Sequence, residues 1–362
     1  MCGDPTHVSG TLGSVRLLNL SRGAAGPDLP SAAIVCHDVR NPSQRSEILA
    51  RKGSRVHAAG VRELLARGVT ELHLALPDLD DVSEDAAATR MATAVAGPGV
   101  TFEAAHFGQT SLLSTERGLL RVDGDAVDRI NRFDGVLLLT AEPDRPVDAG
   151  TTLGVVKCAP LFLSEATLAS VADVAHADGP IVDVQPFQMR RFALLAPSAR
   201  LRGGAFEQAR AALAGALEWY GSSLNEVIGA EADVASLAAA YQTVRHAGAE
   251  FILAAGASGT DPLDVVFEGL RQAGGEVMQM GIPAEPGTAC WIGRLGPVPV
   301  LGLASCELFG RPGALDLLLP RLLTGATLDR DLMRGLAVGG LLQGPSRIAP
   351  YHAPHLSSTE RD

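Results

Sequence analysis

The stretch Phe251-Ile252-Leu253-Ala254-Ala255-Gly256-Ala257-Ser258-Gly259-Thr260-Asp261-Pro262-Leu263-Asp264 decides the fold. Phe251–Ala255 is uninterrupted apolar chain with no polar alternation, the pattern of a strand buried on both faces at the centre of a parallel sheet. Small residues follow from Gly256 to Thr260. Asp261, Pro262 and Asp264 then read as a helix opening, with Asp261 at the N-cap, Pro262 at N1 and Asp264 at N3. Ligands of open α/β sheets bind outside the carboxyl ends of the strands. A small-residue loop there lets backbone approach a ligand, and its N–H groups with the helix N-terminus make an anion site. The loop is neither a Walker A motif nor a GxGxxG fingerprint, so neither a nucleoside triphosphate nor a dinucleotide is expected. The same residues also have a purely structural reading, in which Asp261 and Asp264 only cap the helix; capping and anion binding do not exclude each other.

Outward from this stretch the alternation is regular. Arg191–Ala196 reads as a strand, Ala205–Tyr220 as a helix, Leu224–Ile228 as a strand and Asp233–His246 as a helix ending at Gly248. Pro262–Gln272 reads as a helix and Glu276–Met280 as a strand. Cys290–Arg294 and Val298–Leu303 read as a hairpin across Gly296-Pro297. Ala314–Leu319 begins a closing helix that Pro320 must end or kink. Strands alternating with helices of this length imply α/β structure, a three-layer α/β/α domain over residues 188–326.

Before it, residues 31–187 read as a mixed α+β N-terminal region. Its expected elements are a helix Ala58–Ala66 stopped by Gly68, a strand Val69–Leu76, and a helix Glu84–Val95 opened by a capping box of Asp81 and Glu84. A further helix is expected near Asp125–Phe133. Apolar runs Val136–Thr140 and Leu153–Leu163 flank a turn region Glu142–Gly150, and Ser164 is the expected cap of a helix to about His176. Residues 1–30 read as a loosely ordered lead-in with one short strand within Val15–Leu20. Residues 327–362 read as a C-terminal extension with a disordered end.

Composition excludes more than it names. The chain has 362 residues, a formal net charge of -11, 46% hydrophobic and 20% charged residues. That is ample chain for a real core and excludes global disorder. An acidic chain whose lysines are Lys52 and Lys157 alone is not a nucleic-acid binder. Cys2, Cys36, Cys158, Cys290 and Cys306 are widely spaced without a CxxC pair, and the histidines form no HExxH, so no structural zinc is expected. No apolar run spans a bilayer and no signal peptide is evident. A soluble cytoplasmic protein in a reducing compartment is the expectation.

The loop and its surroundings resemble the binding domain of molybdenum cofactor biosynthesis proteins. A strand, a small-residue loop and an Asp in the first turn of the next helix carry the resemblance. Gly281-Ile282-Pro283-Ala284-Glu285-Pro286-Gly287 resembles the family's proline-glycine segment, and Val298–Leu303 resembles the strand before its second binding loop. Further matches run through most of residues 30–340, which are similar to bacterial molybdopterin-binding proteins related to molybdopterin molybdotransferase. They are Ala32–Arg40 with His37, Lys52-Gly53, Glu84-Asp85-Ala86-Ala87, Asn131–Asp134 and Val155–Phe162.

The resemblance implies a molybdopterin or molybdenum cofactor ligand. Gly256, Ala257, Ser258, Gly259, Thr260, Pro286, Gly287 and Ser305 would bind it, with its phosphate on the N–H groups of Ser258, Gly259 and Thr260 and Ser305 lining the other side of the cleft. Asp264 would be the catalytic carboxylate and the ligand of a Mg²⁺ ion. Arg190, Arg191, Arg200 and Arg202 are candidates to neutralise phosphate, against an ordinary reading as surface arginines. Cys306 could contact a metal or dithiolene, but a lone Cys is commonly a small buried hydrophobe. His37 reads as a satisfied structural histidine and Lys157 as a snorkelling edge residue.

Two departures from the family matter. Ala196-Pro197-Ser198-Ala199-Arg200 lacks the acidic pair of the molybdotransferases, and Ala304-Ser305-Cys306-Glu307 replaces a proline-glycine pair. Three readings therefore stand. The first is a protein that binds the cofactor in maturation or delivery to a molybdenum enzyme. The alternative is a Mg-dependent molybdopterin molybdotransferase or adenylyltransferase. The third is a scaffold that has lost the ligand. Self-association and a molybdenum-enzyme client are implied by resemblance alone.

Overall fold

The structure, a computed structural model, describes residues 16–21, 33–177, 179–201, 203–257, 259, 261–303 and 313–342. The chain divides into two compact units. The first holds the described residues of Met1–Ser114, Val122–Ala141 and Thr151–Asp183; the second holds those of Thr115–Arg121, Glu142–Gly150 and Val184–Asp362.

The second unit is built on a six-stranded sheet ordered Ser223–Ala230, Arg191–Pro197, Phe251–Ala255, Val298–Leu303, Trp291–Leu295, Glu276–Met280. The first four strands are parallel. The hairpin across Gly296-Pro297 reverses direction, and Glu276–Met280 pairs antiparallel with Trp291–Leu295. Phe251–Ala255 is interior to the sheet, and its apolar run is explained by helices on both faces. Phe251, Leu253 and Ala255 pack with the helices Gly204–Trp219 and Ala314–Leu323. Ile252 and Ala254 pack with Val234–His246 and Val265–Gln272. Each such buried Leu or Ile contributes about 1.5–3 kcal/mol by leaving water. This is the expected three-layer α/β/α arrangement.

Two helix ends differ from the sequence expectation. The helix after the decisive loop begins at Val265, not Pro262, and its N-cap is Asp264, not Asp261. The Asp261 carboxylate accepts instead from the Leu263 N–H at 3.0 Å, and the Asp264 N–H donates to the Asp261 carbonyl at 3.1 Å. That local turn outcompetes the earlier helix start. The closing helix also does not end at Pro320 but runs to Leu323, with every residue buried. The Arg321 guanidinium donates to the Leu317 carbonyl, and the Thr324 hydroxyl donates to the Pro320 carbonyl at 3.0 Å. Tertiary burial outweighs the missing N–H of Pro320.

The first unit is antiparallel where it is sheet. Arg16–Ser21, within the expected lead-in, pairs with Glu71–Leu76, which continues to Ala33–Val35 and Arg55–Val56. Helix Ala58–Ala66 packs Val61 and Leu64 on this sheet. A second sheet is ordered Val136–Thr140, Thr152–Cys158, Gln109–Ser114, Val100–Phe102. The apolar run Leu153–Leu163 is two strands, Thr152–Cys158 and Phe162–Ser164, because Pro160 cannot donate to a ladder. The expected capping box of Asp81 and Glu84 is absent: Ser83 is the N-cap of Glu84–Val95, and Asp81 accepts from the Asp78 N–H at 2.8 Å. Lys157 is not an edge residue, since its strand lies between two others, opposite Leu137 and Gln109. Among the described residues, no helix is long and apolar enough to cross a membrane.

Candidate functional site

The parallel strands of the second unit end in register. Pro197 lies opposite Ala230, and Ala255 opposite Leu303. The loops that leave these ends share one edge of the sheet, where the decisive loop sits. Gly256 opens it at φ +101°, a conformation that side chains avoid. A Cβ there would stand 3.0 Å from Pro197 Cδ and 3.6 Å from Arg200 Nε. Glycine thus serves both the turn and the close approach of the neighbouring loop, which carries one arginine to the site. Ala257 is half-buried and Gly259 is exposed. A Cβ on Gly259 would lie 3.5 Å from the Ala289 carbonyl, so the segment after Met280 closes on the loop.

The loop ends at Asp264, whose carboxylate Oδ1 accepts from the Val266 N–H at 2.9 Å. The cap orients the carboxylate at the positive end of helix Val265–Gln272. Burial first, and then the Asp264 charge, push the Tyr241 phenol well above its ordinary range. Tyr241 is fully buried, and among the described residues its hydroxyl has no hydrogen-bond partner; the same is true of the Trp291 indole N–H. Neither aromatic was singled out from the sequence. The one signal was a tyrosine at an apolar-spaced position of helix Val234–His246.

Other candidate residues fall in different places. Pro286 is exposed and follows a cis Glu285–Pro286 bond. Gly287 is buried against the N-terminus of helix Ala314–Leu323, where a Cβ would meet Ala314 Cβ at 2.6 Å. It is thus Ala289 that approaches Gly259. Ser258, Thr260, Ser305, Cys306 and Arg202 lie outside the described residues. Arg190 and Arg191 stand at the opposite end of the sheet, before and at the start of their strand, where Glu250 engages both at 3.1 and 3.4 Å. Burial alone would raise the Glu250 carboxyl. The Arg191 N–H and the two guanidinium groups outweigh it and hold the carboxyl below its usual range. Of the three described arginines, Arg200 is the one that the structure places by the loop.

In the first unit His37 is exposed, edge-on to His73 with ring centroids 5.1 Å apart. Lys52 Nζ meets Glu84 Oε2 at 3.0 Å. Cys158 is buried beside this pair, and burial, reinforced by Glu84, pushes its thiol up to about 12. Among the described residues no three His, Cys, Asp or Glu side chains gather as a metal site. Besides Asp261, whose carboxylate is engaged by the Leu263 N–H, the described loop offers one carboxylate, Asp264 at the helix N-cap. It fits Mg²⁺ only as an ion that keeps several waters and is shared with a ligand phosphate.

No family model matches the chain, and no curated protein does. Among solved structures, a molybdopterin biosynthesis protein from Mycobacterium abscessus is similar at 16% identity and a TM-score of 0.28, covering 41% of this chain and 96% of its own. A putative molybdenum cofactor biosynthesis protein from Corynebacterium diphtheriae is similar at 14% identity and a TM-score of 0.27, covering 41% and 99%. A structure of MogA is similar at 22% identity and a TM-score of 0.25, covering 37% and 94%.

Proposed function

We propose that the second unit binds molybdopterin or the molybdenum cofactor at the loop Gly256–Asp264 and acts in cofactor maturation or delivery to a molybdenum enzyme. The observation that carries this reading is the loop's position. It leaves the carboxyl end of an interior parallel strand, bends at a glycine with positive φ, and ends on a helix N-terminus capped by Asp264. Such a loop offers N–H donors to a phosphate without a basic surface, which accommodates an acidic chain. The pterin identity of the ligand rests on the sequence resemblance around residues 251–264, 281–287 and 298–303.

Within this reading each residue has a task. The N–H groups of Ala257, Ser258, Gly259 and Thr260 hold the phosphate, and Arg200 adds a positive charge beside Gly256. Asp264 would hold a Mg²⁺ ion, which would supply Lewis-acid neutralisation of the phosphate charge. Pro286, Gly287 and Ser305 belong to the segments that border the cleft.

The test is a titration of the purified protein with molybdopterin and with its adenylated form, with and without Mg²⁺, beside Asp264→Asn and Ser258→Ala. Binding that weakens in Asp264→Asn and stays near the wild type in Ser258→Ala, which keeps its backbone N–H, supports the reading. Asn can still cap, so Asp264→Asn leaves stability within about 0.5 kcal/mol while removing the charge. A wild-type protein that binds neither pterin overturns the proposal. Turnover of molybdate with the adenylated pterin would replace it by the transferase alternative.

A further inference from the structure

The first unit carries its charge unevenly. Residues 39–67 hold Lys52 and six arginines against Glu47 and Glu63, a net of +5 in a chain of net charge -11. Arg51, Arg55 and Arg67 line a cavity of about 520 Å³ that has Ile48, Val56 and Leu64 in its walls. Arg67 is engaged by Glu63 at 3.1 Å and by Glu47 at 3.8 Å. Arg51 and Arg55 are exposed and have no carboxylate partner among the described residues. The hole is thus both apolar and basic. The turn Asp78–Asp81, after strand Glu71–Leu76, has the opposite charge. Its shape is fixed: the Asp81 N–H donates to the Asp78 carbonyl at 3.3 Å, the Asp78 N–H to the Asp81 carboxylate at 2.8 Å, and the Glu165 N–H to the Asp80 carbonyl at 2.9 Å. Leu79 stands fully in solvent at its tip, between exposed Asp78 and Asp80. One exposed leucine is ordinary, but here a rigid acidic turn presents it, and an apolar hole flanked by unpaired arginines lies in the same unit. Ile34 pairs with Ala75 and Ala33 with Val56, so the turn after Leu76 and the cavity wall at Val56 stand at the same end of one sheet, with strand Ala33–Val35 between them.

We infer that this end of the sheet is the docking surface for a second copy of the chain, in which Leu79 of each copy enters the cavity of the other and Asp78 and Asp80 face Arg51 and Arg55. Knob and hole are different surfaces, but they lie close together. A two-fold axis between them makes both contacts at once and closes a dimer, with no free knob or hole left to extend a chain. The leucine supplies apolar burial, and the opposed charges set orientation and register. A turn already locked by its own hydrogen bonds loses little freedom on docking.

Sedimentation velocity of the full chain over a range of concentration tests this. The wild type is expected to dimerise at low salt and to dissociate as salt rises, because the charges at the contact are exposed. Leu79→Ser should raise the dimer Kd about a hundredfold, since the leucine is buried twice. Asp80→Lys, and separately Arg51→Glu with Arg55→Glu, should each be monomeric under the same conditions. An equimolar mixture of these two charge variants should recover a dimer, because in the mixed pair each knob again meets a hole of opposite charge. All four positions are exposed, and unchanged unfolding midpoints confirm that the variants keep their fold. A wild type that stays monomeric, an oligomer that Leu79→Ser leaves intact, or charge variants that do not recover a dimer on mixing overturns the inference.

Discussion

Arg321 Nη2 stands 3.0 Å from Asp144 Oδ2, joining two residues 177 positions apart within the second unit. Arg121 binds the other oxygen of the same carboxylate. Asp144 adopts a left-handed φ of +60°, which Asp and Asn tolerate better than most residues. The Arg321 side chain is 9% exposed, and this carboxylate and the Leu317 carbonyl are among the groups that compensate its charge. Asp144→Asn keeps shape and backbone but removes the charge from a buried guanidinium. It should cost about 3 kcal/mol in urea unfolding, and adding Arg321→Met should recover much of that loss.

Gly302 is the second test of packing. A Cβ at this position would stand 1.9 Å from Trp291 Nε1. The indole is also edge-on to Phe267 with centroids 4.9 Å apart and has no room to withdraw. Gly302→Ala is expected to lose about 3 kcal/mol, at the upper end of overpacking costs. Trp291→Leu in the same chain should relieve the clash, so the double variant should be more stable than the sum of the two single changes. Thermal and urea unfolding measure both.

Glu250 makes acid stability depend on one end of the sheet. Its folded pKa lies below the usual carboxylate value because of Arg190, Arg191 and the Arg191 N–H, which outweigh its burial. A depressed carboxylate contributes stability that is present above its unfolded pKa of about 4.3 and is lost as pH falls through the folded value. Unfolding free energy should therefore drop on acidification below about pH 4.3. In Glu250→Gln that part of the acid limb should be flattened and the stability at neutral pH lower. High salt should weaken the effect in the wild type, since the carboxylate side chain is 33% exposed.

Cys158 predicts a silent thiol. Its pKa of about 12 leaves almost no thiolate near neutrality, and the thiolate is the reactive form. Native protein treated with iodoacetamide at pH 8 should leave Cys158 unmodified in peptide mass spectra. Cys36, half-buried and also pushed up by burial against the opposing pull of Lys52, should react slowly. Both should label fully in urea. Rapid native labelling of Cys158 would contradict its placement.

Local chemistry was legible wherever one periodicity dominated. Glu84–Val95 and Ala58–Ala66 form over the expected helical residues, and Phe251–Ala255, Val136–Thr140 and Glu276–Met280 over the expected strand residues. Alternating or continuous apolar pattern, with Gly68 and Gly248 at helix ends, suffices for these because the signal lies within a few neighbours. It failed where two local options competed. Asp261 and Asp264 are both good caps, and the turn at Asp261 decided between them. Pro320 is a helix breaker by itself but continues a helix whose every residue is buried.

By itself the sequence determined the alternation of strands and helices from Arg191 onward, and with it the class of sheet and the place of the loop after Phe251–Ala255. These follow from hydrophobic periodicity and turn residues, which act over short stretches of chain. Only the tertiary structure decided what surrounds the loop. It removed Arg190 and Arg191 to the far end of the sheet and brought Arg200 and Ala289 to the glycines. Residues distant in the chain become neighbours through strand order and helix packing, and no local pattern encodes which loop of another strand will close on these glycines.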